Sequence, residues 1–468
     1  MKHVILGAGP AGVIAAETIR KHAPNDQIII IGDEPEPPYS RMAIPYLLIG
    51  KVGEGGTHLR HGEAHFARLR VDIRQGRAKS VDTAQRSVLL EDGSSVAFDK
   101  LLIATGSSPA SPAIPGINGP GVHPCWTLAD ARAIMALAQP GARVLQMGAG
   151  FIGCIIMEAL ATRGVKLSVV EMGDRMVPRM MGATAGGMIK DWCEKKGVAV
   201  YTGARVEAIE RPGPAAQAPA PAAAPAHEPG LLTRLAQAVG LASPPPPPQA
   251  AAPMASAGAT APMTVRLSSG QRLEADLVIS ATGVKPNIGF LEHSGILCLL
   301  GVLTDEHLQT NVPGIYAAGD CAEAFDKVSG TTIVSAIQPN AAEQARVAAL
   351  NMVGQVAALK GVTQINVLDT LGMISASFGQ WDGVPGGEHV ELADRAAGKL
   401  LSLQFDGDKL VGCNAIGWTA HVGVMRGLVE GEVRLSPEWK QRLMNDPTLL
   451  MEAYLANAQA QQDMARLR

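Results

Sequence analysis

The chain has 468 residues, with 40 Lys and Arg against 43 Asp and Glu, and its net charge of -3 offers neither a nucleic-acid face nor an acidic tail. That length exceeds one ordinary hydrophobic core and divides into about three domains. No apolar run reaches the roughly 18 residues needed to cross a bilayer and no signal peptide precedes the first strand, so a soluble, cytoplasmic protein is expected.

In chain order, the first predicted element is a strand through Val4, closed by the glycine loop GAGPAG from Gly7 to Gly12. A helix follows, then the apolar run QIIII from Gln27 to Ile31, then Asp33 and Glu34. This is a dinucleotide fingerprint. The first glycine turns the chain, the second lets backbone approach a pyrophosphate, and the third lets helix pack on strand. The acid stands about 20 residues on, where it reaches a ribose hydroxyl. Short strands are then predicted around RAKSVD and SVLLEDGSSVAFDKLLIATG, and the chain crosses over between Gly116 and Asp130.

From Ala142 the design repeats. VLQM from Val144 runs into GAGFIG, Gly148 to Gly153, then a helix, then KLSVV from Lys166 to Val170 and the acid Glu171. Two such sites in one chain suggest two different dinucleotides, and the economical pairing is a bound flavin exchanging hydride with a diffusing nicotinamide. Glu171 would accept from both adenosine ribose hydroxyls and repel a 2′-phosphate, while Met172 and Gly173 offer no replacing cation. Arg175 can still swing in, but NADH is favoured over NADPH.

The second unit is interrupted near Pro212 by an Ala- and Pro-rich stretch with five consecutive prolines, Pro244 to Pro248, a composition too poor in core-forming residues to order itself. MTVRLSSGQRLEADLVISATG then resumes as strand, turn, strand, which places the insertion on a surface hairpin. Within it, GLLTRLAQAVGLAS sets Leu231, Leu232, Leu235 and Val239 largely on one helical face, either a transient helix or a docking helix. From Val284 the chain returns to the first unit, and from Thr363 strands and terminal helices form a small α/β tail.

Six cysteines, Cys125, Cys154, Cys193, Cys298, Cys321 and Cys413, show no CxxC or ferredoxin-like spacing and read as buried small hydrophobes in a reducing compartment. Lacking a sequence-local redox pair or cluster, the chain has to exchange electrons with something outside itself. His293, His307 and His421 are isolated, no metal set is recognised, and no catalytic acid or base stands out.

Six motifs in order resemble the two-dinucleotide flavoproteins of the pyridine nucleotide-disulphide oxidoreductase family, nearest to NADH-dependent rubredoxin, ferredoxin and nitrite reductase flavin modules. They are GAGPAG, EPEPPYSR from Glu34 to Arg41, LLIATGSSP from Leu101 to Pro109, GAGFIG, ISATGVKPN from Ile279 to Asn287, and VPGIYAAGDCAE from Val312 to Glu323. The resemblance implies an α/β fold of two Rossmann-like dinucleotide-binding domains, the FAD domain split by the NAD domain, with a small C-terminal α/β domain. The expected boundaries are 1–118 and 285–362 for FAD, 119–284 for NAD(P)H with the insertion at 212–263, and 363–468 for the interface domain.

It further implies that FAD lies against Gly7, Gly9, Pro10, Ala11, Gly12, Asp33, Glu34, Arg41, Ala78, Ala104, Thr105, Gly106, Gly319, Asp320, Gln338 and Pro339. NAD(H) lies against Gly148, Gly150, Phe151, Ile152, Gly153, Glu171 and Gly283. Arg41 would neutralise pyrophosphate charge, and Asp320 would accept from the ribityl chain unless it only caps a helix. The helix from IQPNAAEQARVAALNM, with Pro339 in its first turn, would aim its positive end at the flavin.

Two departures from the family pattern matter. Met42 stands where a single redox cysteine would, which disfavours disulfide and peroxide chemistry and leaves Met42 and Tyr46 to wall the flavin. Cys154 and Ile155 stand where ferredoxin-reductase relatives place a glutamate near the nicotinamide. The leading expectation is an FAD-dependent NAD(P)H:acceptor oxidoreductase with an external redox partner. One form is the flavin subunit of an aldehyde or 2-oxoacid oxidoreductase whose partner carries iron–sulfur clusters, with Trp381 and Trp418 as contact candidates. The alternatives are a self-contained reductase or oxidase of a small acceptor such as oxygen, quinone or polysulfide, and a non-catalytic NADH-responsive flavoprotein. The oligomeric state, a homodimer among the options, stays open.

Overall fold

The computed structural model describes residues 1–60, 64–212, 262–326, 329–362 and 365–466. Its centre is a pair of similar parallel sheets. In the first, the strands run in the order Ile315–Ala317, Lys100–Ile103, Lys2–Leu6, Gln27–Gly32 and Val71–Gln75, all parallel. In the second, the order is Ala199–Thr202, Lys166–Glu171, Arg143–Met147, Leu277–Ser280 and Val122–His123, again all parallel. A parallel sheet is covered on both faces, so its central strands carry no polar alternation. Ile28 to Ile31 show this: all four are buried, Ile28 and Ile30 in one core cluster and Ile29 and Ile31 in another.

The helix Pro10–His22 begins with Pro at its first positions, where the missing N–H costs nothing, and ends in Arg20, Lys21 and His22 beside the negative helix end. It packs on the helix Gln338–Met352 through small residues, Ala15 and Ala16 against Ala341, Ala345 and Ala348 in one cluster. The return segment is thereby stitched to the first unit although more than three hundred residues separate the two helices in sequence.

Each unit also carries a three-stranded antiparallel meander: Ala78–Asp82, Ser87–Leu90 and Ser95–Ala97 in the first, and Val206–Glu210, Met263–Leu267 and Arg272–Ala275 in the second. In the second meander Glu210 pairs with Thr264, so the Ala/Pro-rich insertion leaves and re-enters at the end of a hairpin, as its flanking strands predict. The candidate docking helix at 230–243 lies outside the described residues. The antiparallel pair Ser107–Pro109 and Val284–Pro286 joins the two crossings between units.

The tail is a five-stranded antiparallel sheet with helices Val422–Glu430, Pro437–Asn445 and Leu450–Arg466. Those helices cover one face, with Phe378, Leu403 and Phe405 packed beside Met425, Leu428 and Leu443. Leu368, Met373, Leu400 and Ile416 join the core of the second unit instead. Asn414 fixes that junction, donating to the Met180 carbonyl at 2.9 Å and accepting from the Gly182 N–H at 2.9 Å. Trp418 is half-buried with the Lys399 ammonium 4.9 Å from its ring centre, and Trp381 is also half-buried.

Candidate active site

The two glycine loops carry out the same division of labour. Gly7 has φ of +116°, and a Cβ there would collide with the Ala104 carbonyl. Gly12 has no room for a Cβ either, because the Gly7 carbonyl fills the space. Gly9 has ordinary backbone angles and nothing within 4 Å of its would-be Cβ. Gly148, Gly150 and Gly153 repeat the pattern: φ of +94° against the Ala281 carbonyl, open space, and contact with the Gly148 carbonyl. The first and third glycines are therefore demanded by the protein's own packing, whereas the second faces room for a ligand. Neither following helix has a side-chain N-cap, so the leading N–H groups of both remain for an anion.

The first loop opens on a cleft. Its walls include Gly7, Gly9, Pro10, Ala11, Asp33, Glu34, Arg41, Ala104, Thr105, Gly106, Gly319, Asp320 and Gln338, all expected from the sequence for FAD. Phe151 and Ile152, expected for NAD(H), line the same cleft from the other side with Ile155 and Ile156. Gly12 and Pro339 stand behind the wall. Ala78 lies off it, half-buried on a meander strand against the core of the first unit. Gly148, Gly150, Gly153, Glu171 and Gly283 lie away from this cleft, in the second unit. Met42 lines the cleft, but Tyr46 does not: it is 53% exposed, which corrects the expectation that both wall the flavin.

Charge is concentrated at one end. Arg41 pairs with Glu34 at 2.7 Å, donates to the Tyr39 hydroxyl at 2.7 Å and to the Trp126 carbonyl at 2.9 Å, and sits 5.5 and 5.4 Å from the Tyr39 and Trp126 ring centres. Tyr39 in turn donates to Glu34 at 2.6 Å, and burial pushes its phenol pKa up. Asp33, the neighbouring acid, pairs with Arg77 at 3.1 Å. Ser107 donates to Asp320 at 2.8 Å, while burial raises the Asp320 carboxyl above its usual range. A turn and the short strand Ala322–Phe325 follow Asp320, so the helix-cap alternative does not hold.

Gln338 opens the helix Gln338–Met352, which has Pro in its first turn and no side-chain cap. Its amide oxygen accepts from Ser40 at 2.7 Å, and Gln338 and Ala341 bring this helix start onto the cleft wall. Three uncapped helix starts, an open second glycine and a cleft lined by both Asp33 and Phe151 fit a dinucleotide cofactor.

Part of the wall is apolar: Met42, Ile44, Pro45, Cys125, Ile152, Ile155 and Ile156 line it, and burial pushes the Cys125 thiol up to about 12. Wall residues that the sequence did not assign to a cofactor include Glu36, Cys125 and Trp126; the last two arrive on the crossover segment, whose position depends on how the two units meet. Among the described residues no group of three His, Cys, Asp or Glu is placed to hold a metal ion, and all six cysteines are free.

Paired Rossmann-like units that share one cleft, with the helix after the second glycine loop lining its far wall, define a flavin-dependent pyridine-nucleotide oxidoreductase. Residues 1–219 and 252–349 match the family described as pyridine nucleotide-disulphide oxidoreductase, and the chain belongs to that family. It is 30% identical over 440 residues, 93% of both chains, to the NADH-dependent phenylglyoxylate dehydrogenase subunit epsilon of Aromatoleum evansii. It is 28% identical over 320 residues, 68% of this chain and 66% of the other, to the biphenyl dioxygenase system ferredoxin–NAD(+) reductase component of Paraburkholderia xenovorans strain LB400. The fold superposes on the covalent putidaredoxin reductase–putidaredoxin complex with a TM-score of 0.80, 20% identity, and coverage of 98% of this chain and 99% of that one. No described helix is long and apolar enough to cross a membrane.

Proposed function

We propose that this protein is the FAD-carrying, NADH-handling subunit of a multi-subunit oxidoreductase acting on a 2-oxoacid or aldehyde. The observation that carries the reading is the alignment with the phenylglyoxylate dehydrogenase subunit, which runs through 93% of both chains and therefore includes the tail. Bound FAD would exchange hydride with NADH and pass electrons one at a time to or from iron–sulfur clusters on a partner subunit.

The chain's own residues supply position and field. The Gly9 amide region and Arg41 would hold the pyrophosphate, and Glu34 would accept from a ribose hydroxyl. Asp320 accepts from the ribityl hydroxyls while Ser107 holds its other side. The uncapped start at Gln338 would offer positive helix charge to the negative charge that a bound flavin gains on reduction. Phe151, Ile152 and Ile155 exclude water where the nicotinamide stacks, and hydride transfer there needs alignment rather than a proton donor. Glu171 selects NADH through its ribose. Six free thiols accord with a cytoplasmic setting, and a homodimer remains compatible with the tail.

Anaerobic affinity purification from the native organism, followed by assay of NADH oxidation and NAD reduction, tests the reading. Stoichiometric recovery of an iron–sulfur subunit, with activity that needs it, is expected. A lone flavoprotein turning over NADH with a small acceptor would replace this reading with the self-contained reductase.

A further inference from the structure

Arg132 ties the two walls of the cleft together at its rim. Arg132 lies on the helix Leu128–Leu137, whose inner residues Leu128, Ala131 and Ile134 pack in the core of the second unit. Its guanidinium reaches back to the first unit. Nε and Nη2 grip both Glu54 oxygens at 2.8 Å each, and Nη1 donates to Glu36 at 2.8 Å. Glu36 is a wall residue of the cleft with its side chain only 13% exposed, and Arg132 is its ion-pair partner.

Glu54 opens the turn Glu54–Thr57 that backs the same wall: Ser40 N–H donates to the Thr57 carbonyl at 3.0 Å and Leu59 N–H to the Pro38 carbonyl at 2.9 Å. Arg132 therefore holds the wall loop and its backing turn at once. A second bridge crosses in the other direction, from Arg41 on the loop to the Trp126 carbonyl just before the helix. The helix start is itself fixed by a reciprocal cap between Thr127 and Asp130, so the latch has a rigid post.

We propose that Arg132 is a positioning residue: with Glu36 and Glu54 it latches the helix of the second unit to the cofactor loop of the first and sets how fast the dinucleotide leaves the cleft. The inference rests on the reading that FAD occupies this cleft. The bidentate grip on Glu54 fixes direction as well as distance, which a lysine cannot reproduce. Arg132 is 45% exposed, so salt should weaken the latch.

The test uses full-length holoprotein and follows the rise in flavin fluorescence as FAD is released, at low and at high salt. In the wild type, release accelerates with salt. Arg132→Gln and, independently, Glu54→Gln should release FAD about threefold to tenfold faster at low salt, as expected for the loss of one or two partly exposed pairs. Both should lose most of the salt response, and Arg132→Lys should recover part of it. Wild-type release rate and salt response in the two Gln variants would overturn the latch alone. Wild-type protein that takes up no FAD would overturn the cofactor reading and the latch with it.

Discussion

The Glu171 carboxylate accepts a hydrogen bond from the backbone N–H of Ala149 at 2.7 Å, so the acid ending one strand braces the second residue of the glycine loop on its neighbour. Its other oxygen accepts from Gly173 N–H at 2.7 Å. One side chain thus braces the second glycine loop, and under the proposed function it also selects the nucleotide. Glu171→Gln keeps the volume but turns an N–H donor toward one of the two amides. The loss of one charge-assisted bond, about 1.5–3 kcal/mol, predicts a KM for NADH roughly tenfold to hundredfold higher with little change in kcat. Preference for NADH over NADPH should narrow, because the repelling charge is gone. Steady-state kinetics with both nucleotides checks this; an unchanged preference ratio would remove Glu171 as the selector.

Gly9 and Gly12 should separate ligand binding from folding. Gly9→Ala places its methyl in open space, so apoprotein stability should move by less than about 0.5 kcal/mol, while FAD affinity falls by roughly 1–3 kcal/mol as the methyl meets the phosphates. Gly12→Ala drives a Cβ into the Gly7 carbonyl and should destabilise the apoprotein itself by at least as much. Thermal denaturation of apoprotein and flavin titration, run on both variants, gives opposite patterns if this assignment of roles holds. Equal losses of apoprotein stability would contradict it.

Thiol chemistry should be dispensable. Cys125 lines the cleft, but burial holds its thiol protonated, and Cys154, Cys193, Cys321 and Cys413 are buried as well. Iodoacetamide at mildly alkaline pH should therefore label Cys298 first, the half-buried one, and leave NADH oxidation unchanged. Peptide mapping alongside the assay decides the matter: inactivation in step with Cys125 labelling would restore a catalytic thiol.

The sheets were legible in the sequence because strands such as Lys2–Leu6 and Gln27–Gly32 are buried on both faces and show it in the apolar runs Val4 to Leu6 and Ile28 to Ile31. The glycine loops were legible because backbone packing leaves Gly7 and Gly12 no alternative residue. What the sequence concealed were contacts made only when two units dock. Trp126 and Glu36 face each other's elements across the rim, and no local pattern encodes the angle between those elements. Ile155 could be named as a missing glutamate, yet its place on the shared wall with Phe151 and Ile152 comes from the start of one helix entering the other unit's cleft. The same logic explains Tyr46: about half a turn along the short helix Ile44–Leu48 points it out to solvent, while Ile44 and Pro45 stay on the wall.

Asp320 should trade stability for cofactor binding. The apoprotein buries this carboxyl with Ser107 donating to one oxygen, and burial raises its pKa above the ordinary 3.8. The folded state thus holds the proton more tightly than the unfolded chain. That contribution to stability is fully present below the unfolded value and is lost as pH rises through the folded one, so at neutral pH the ionised group costs the apoprotein stability. Asp320→Asn keeps an oxygen for Ser107 and removes the charge. Apoprotein stability near pH 7 should rise by about 0.5–2 kcal/mol, the size usual when a functional group is relieved of its strain. FAD affinity should fall by roughly 1.5–3 kcal/mol as charge-assisted acceptance is lost. Urea denaturation of both apoproteins should show the stability gap shrinking from pH 7 toward pH 4, because the wild-type carboxyl becomes protonated there. A variant less stable than wild type throughout that range would show that the Asp320 carboxylate supports the empty fold rather than the cofactor.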